Sequence, residues 1–72
     1  MTTQDEILKT AKPGSVQFIR PQKGESLESF QHTVSTVQYM AEEGLLVIAE
    51  EYLETQSGHR YIDAIKIFWP DA

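Results

Sequence analysis

The sequence predicts an α+β fold in which a three-stranded antiparallel sheet packs on one long helix, and three features carry that prediction. Leu27, Phe30, Val34, Val37 and Ala41 recur with spacings of 3, 4, 3 and 4, the period of a helix with one buried stripe. Segments 15–20, 45–54 and 60–69 are rich in β-branched and aromatic residues and are bounded by Pro or Gly, as strands are. Capping and turn signals separate these segments and give the order helix–strand–helix–strand–strand.

The first helix opens on Thr3-Gln4-Asp5-Glu6, a capping-box pattern in which Thr3 caps and Glu6 reaches back to its amide. Ile7, Leu8 and Ala11 give it a short apolar face, Lys9 and Lys12 suit its negative end, and Pro13-Gly14 stops it. Two turns of helix do not persist alone in water, so this helix must dock on the core. The first strand, 15–20, carries Val16, Phe18 and Ile19 and ends at Pro21-Gln22-Lys23-Gly24.

Ser26 is the expected N-cap of the long helix, with Glu28 in its first turn facing the positive end of the dipole. Gly44 is the expected left-handed stop, with Leu45 folding back. From 26 to 43 the helix spans roughly 27 Å at about 1.5 Å per residue. Thr33, Val34, Thr36 and Val37 are β-branched and each lowers helix propensity by a few tenths of a kcal/mol, a cost that packing must offset. Beyond it, Thr55-Gln56-Ser57-Gly58-His59 reads as a hairpin turn with Gly58 at positive φ. The last strand has apolar groups on both faces (Ile62, Ala64, Ile65, Ile67, Phe68, Trp69), which predicts a central position between the other two.

Seventy-two residues, 40% of them hydrophobic, suffice for a single domain, 1–72, with one thin core. Without cysteine, neither a disulfide nor a thiolate zinc site reinforces it. The longest apolar runs fall far short of the roughly 20 residues that cross a bilayer. The first residues have neither the basic nor the apolar region of a secretory signal, so the expected location is cytoplasmic, away from membranes. The net charge of −5 lies wholly in the second half: residues 1–36 carry four basic and four acidic groups, residues 37–72 two and seven. Such a surface repels phosphate backbones, because nucleic-acid affinity comes mainly from Lys and Arg displacing counterions.

Opposite the buried stripe, the long helix presents Glu28, His32, Ser35, Thr36, Tyr39 and Glu43. A tyrosine beside small polar residues suits protein contact, since it combines area, rigidity and a hydroxyl. With two glutamates and no Arg or Lys, this face is ill-suited to groove reading. His32, Ser35, Thr36 and Tyr39 are therefore the expected partner-binding residues, for a protein partner or a second copy. Phe68 and Trp69 are further candidates for an exposed strand end or dimer seam. The competing expectation is DNA association, with Lys9, Arg20, Lys23 and Arg60 gathering on one side and overcoming the net charge locally.

The stretch Thr33-Val34-Ser35-Thr36-Val37-Gln38-Tyr39-Met40-Ala41-Glu42-Glu43-Gly44-Leu45-Leu46 resembles the recognition helix of winged helix-turn-helix regulators. The hairpin that follows, 51–67 with Ser57-Gly58 at its tip, is similar to that family's wing. Over residues 33–68 the resemblance implies a winged-helix-like domain. It also implies DNA contact through Ser35, Thr36, Gln38 and Tyr39 in the major groove and His59 and Arg60 at the wing tip. Three departures turn the expectation towards a shape adapted to protein contacts. Residues 26–32 leave no room for a separate helix and turn, the stripe runs in phase through Gln31-His32-Thr33, and positive charge is missing.

Nothing in the residue pattern predicts catalysis, so the expected class is non-enzymatic, without metal or cofactor. His32 and His59 lie 27 positions apart and belong to no metal-ligand spacing. Glu42-Glu43 and Glu50-Glu51 are adjacent pairs whose side chains diverge, whereas acid–base pairs must converge. Each glycine stands singly at a turn, and Arg20-Pro21-Gln22-Lys23-Gly24 reads as a polar surface loop.

Overall fold

The protein is described here from a computed structural model, which covers residues 3–71. Its elements in chain order are α1 (Gln4–Leu8), β1 (Val16–Ile19), α2 (Leu27–Glu42), β2 (Val47–Leu53) and β3 (Ile62–Phe68). The strands form one antiparallel sheet in the order β1-β3-β2, with α2 against one of its faces. The chain is thus an α+β protein, as the patterning predicts. Among the described residues, no helix is long and apolar enough to cross a membrane.

The helix ends follow local chemistry. Ser26 Oγ accepts the Ser29 amide hydrogen at 3.1 Å, the N-cap bond that relieves one orphan donor. At the other end the Leu45 amide donates to Met40 O at 3.0 Å and the Gly44 amide to Ala41 O at 3.1 Å. With Gly44 at φ 80°, this pair of bonds is a Schellman stop. The helix runs without interruption through Gln31-His32-Thr33. α1 is shorter than its apolar pattern predicts: it closes at Lys9, and Thr10 and Ala11 continue only as single turns, bonded to Ile7 O and Leu8 O. At its start Thr3 Oγ accepts the Glu6 amide hydrogen and its hydroxyl donates to Glu6 Oε1, so the side chains pair with each other.

The core consists of Ile7, Ile19, Phe30, Val34, Val37, Met40, Leu46, Ile65, Ile67 and Trp69. Its helical contribution is rotated from the predicted stripe. Thr33 and Met40 are fully buried, whereas Leu27 and Ala41 are only half-buried. Each fully buried apolar side chain contributes roughly 1.5–3 kcal/mol, several times the propensity cost of a β-branched residue, so packing decides in favour of helix. Leu45 is exposed and Leu46 fills the core in its place.

Trp69 corrects a second expectation. It is 3% exposed and cannot form a seam. Alternation places Ile65, Ile67 and Trp69 together on the α2 side. There the indole Nε1–H donates to Gln17 Oε1 at 2.9 Å, and Gln17 Nε2 in turn donates to Thr10 Oγ at 3.0 Å. The central strand is also tied to the helix through one amide. Gln31 Nε2 donates to Ile62 O at 2.8 Å, and Gln31 Oε1 accepts the Ile62 amide hydrogen at 3.2 Å, satisfying the backbone where β2 and β3 shift register.

Candidate functional site

The outer face of α2 is open. His32, Ser35 and Tyr39 are all exposed, Tyr39 by 53%. Thr36 is half-buried, and its hydroxyl donates to His32 O at 3.1 Å, a bond that keeps it on its own helix. Gln38, placed at a groove by the resemblance, donates instead to Glu51 Oε2 on β2 at 2.9 Å.

The four cationic or wing residues lie on three segments. Arg20 follows β1, Lys23 sits in the turn before α2, and His59 and Arg60 belong to the β2–β3 loop. His59 stacks on Tyr61 with centroids 5.2 Å apart. Arg60 takes φ 58°, a left-handed conformation uncommon for a side chain of its size. The same loop is braced by Glu54, which is buried and accepts both the hydroxyl and, at 2.9 Å, the amide hydrogen of Ser57. The Ser57 hydroxyl first, and then its amide, hold the Glu54 carboxyl below the usual carboxylate range.

A larger surface lies on the face of the sheet turned away from α2. The register puts Val16, Phe68 and Val47 in one row, and Phe18, Lys66 and Glu50 in the next. Tyr52 pairs with Ala64 in a third row, which Arg20 extends by continuing the alternation of β1. The register shift between Ile48 and Glu50 leaves Ala49 unpaired. That bulge moves Glu50 and Tyr52 to the open face and Glu51 to the side of Gln38. Val16, Phe18 and Val47 are 54%, 46% and 50% exposed.

This face has an ordered polar frame. The rings of Phe18 and Tyr52 lie 6.3 Å apart across the central strand. The Arg20 guanidinium and the Lys66 ammonium stand 5.4 and 5.9 Å from the Phe18 centroid, within cation–π range. The Tyr52 hydroxyl donates to Glu50 Oε2 at 2.8 Å. That bond, ahead of desolvation and the Glu50 charge, raises the Tyr52 pKa above its ordinary value, against a lowering by the Arg20 charge. A shallow hollow between Phe18, Arg20, Tyr52, Leu53, Asp63 and Ala64 completes the surface.

Sequence reasoning missed most of this face, and the reason lies in β1. In Val16-Gln17-Phe18 a binary pattern turns the two apolar residues inward. The fold does the reverse, because Gln17 supplies the acceptor that the buried Trp69 indole needs. No family model matches the chain, nor does any curated protein or solved structure. Its own surface is therefore what speaks to function.

Proposed function

We propose that this chain is a non-enzymatic protein-interaction module of winged-helix-like architecture, and that its contact surface is the open face of the sheet. The observation that carries the reading is the row Val16–Phe68–Val47 beside Phe18 and Tyr52, an apolar and aromatic surface with no second layer over it. Packed sheets cover an apolar face with another layer, and contiguous apolar patches left on small proteins mark contact sites. Tyr39, His32, Ser35 and Thr36 make the outer face of α2 a secondary contact surface, poorer in apolar area.

The winged-helix resemblance also raises DNA binding, but charge weighs against it. Glu28 and Glu42 are exposed on α2 and Glu43 at its C-cap, and no Lys or Arg stands on that helix to meet a phosphate. Two assays test the proposal. Immobilised wild-type chain and a folded Phe18→Lys variant are exposed to extract from the native source; partners retained by the first and lost by the second support a sheet-face module. Titration with random duplex DNA at low salt is the second assay, and salt-sensitive binding there would replace the protein reading by the DNA one.

A further inference from the structure

We infer that the free edge of β1 takes an extended peptide, with an acidic residue towards each end, as a fourth strand of the sheet. This edge is distinct from the open face, and hydrogen-bond accounting carries the proposal. The Trp69 amide donates to Ser15 O at 2.9 Å and the Gly14 amide to Trp69 O at 2.7 Å, with Gly14 at φ 79°. That pairing turns the Ser15 backbone towards β3, and alternation along the register turns Gln17 and Ile19 the same way. The N–H and C=O groups of Val16 and Phe18 therefore point away from the sheet. Among the described residues, no backbone group beyond the sheet bonds them. Alternating donors and acceptors of this kind are completed by another extended backbone. The opposite edge is less receptive, because the Ala49 bulge breaks the regularity of β2 and Glu50 and Glu51 follow it.

Beside that edge runs a trough between β1 and α1. Two adjoining hollows, one reaching Lys12 and Val16 and the other Glu6 and Arg20, share Thr10 and Gln17. A cation thus stands towards each end of the edge. Among the described residues, neither Lys12 nor Arg20 has a carboxylate within ion-pair distance, and Arg20 rests on the Phe18 ring. Glu6, the acidic group of the trough, is engaged by the Thr3 hydroxyl at 3.2 Å. Charge complementarity therefore selects carboxylates near the ends of the occupant. A nucleic-acid phosphate offers acceptors only, which leaves the carbonyls of Val16 and Phe18 unmatched. A second copy pairing β1 on β1 antiparallel lays the Arg20 end of each strand along the Lys12 end of the other, like charge on like. A foreign acidic strand meets both the backbone and the charge demands.

The probe is the capped peptide Glu-Val-Thr-Val-Thr-Val-Glu, whose seven residues at about 3.4 Å each span the edge and bring a carboxylate near both cations. Titrated to about 1 mM against the ¹⁵N-labelled chain, it should shift the Val16 and Phe18 amides first. Methylating its central backbone nitrogens should weaken binding by about tenfold or more, since a fourth strand needs those donors. Lysine at both ends in place of glutamate, or Arg20→Glu in the chain, should weaken it by about fivefold or more. Val16→Pro removes an outward N–H while sparing the ladder to β3, and should abolish binding in a chain that circular dichroism shows to be folded. If that variant does not fold, the methylated peptide decides. Tyr52→Ala, on the open face, should leave binding within about twofold. No binding up to about 1 mM overturns the inference, as do equal binding of the methylated or lysine-ended peptide and shifts centred on Val47 and Tyr52. The open face is read separately by capture with Phe18→Lys, so either reading can fail while the other stands.

Discussion

The two faces of the sheet are built from alternate residues of the same three strands, yet they meet different surroundings. On one side Ile19, Ile65, Ile67 and Trp69 are sealed beneath α2. On the other, Val16, Phe18 and Val47 stand about half exposed, and Lys66, Arg20 and Glu50 are spaced among them. A sheet with one solvated face ordinarily alternates apolar and polar residues cleanly. Here β3 is apolar on both sides because it is central, and β1 turns its glutamine inward and its phenylalanine outward. The sealed face is committed to folding; the open face holds apolar area that folding does not use.

Truncation at matched positions is the sharpest way to break that comparison. Phe30→Ala removes a fully buried ring and should cost about 3–5 kcal/mol, enough to unfold much of so small a domain. Phe18→Ala, measured by thermal melting in dilute solution, should cost less than about 1 kcal/mol, since its ring keeps much of its solvent contact. Equal losses at both positions in dilute solution would show that the open face belongs to the folding core.

A smaller effect is expected where α2 meets β3. Gln31→Leu leaves the N–H and C=O of Ile62 without their amide partner and should cost about 1–3 kcal/mol in denaturant unfolding. A loss well under that range would mean that water replaces the amide without penalty.

The smallest effect concerns the hairpin loop and depends on pH. The Glu54 carboxyl has a lowered folded pKa, so its contribution is complete above the ordinary carboxylate range and is lost as pH falls through the lowered value. The Ser57 and His59 amide resonances should move together through that acid transition. Glu54→Gln should abolish the movement while leaving the open face of the sheet undisturbed.

Local chemistry made much of the fold legible. The Ser26 cap, the Gly44 stop, the turn around Gly58 and the double-sided apolar content of β3 are each governed by a few neighbouring residues. The positions harder to read depend on partners distant in sequence. Trp69 sits 52 positions from Gln17, and only their pairing explains why one is buried and the other points inward. The bulge at Ala49 reverses the phase of β2, which no alternation rule anticipates. The helix face with His32, Ser35 and Tyr39 was legible because helical period alone defines it. The sheet face was not, since it exists only once three separate strands are in register.

The most direct measurement of the central claim is a pair of amide ¹H–¹⁵N correlation spectra of the labelled chain, alone and with unlabelled extract from its native source. Shifts and broadening on addition should fall on Val16, Phe18, Val47, Glu50, Tyr52 and Lys66, with His32, Ser35 and Tyr39 unmoved. Changes confined to the outer face of α2, or absent altogether, would contradict the open sheet face as the contact surface.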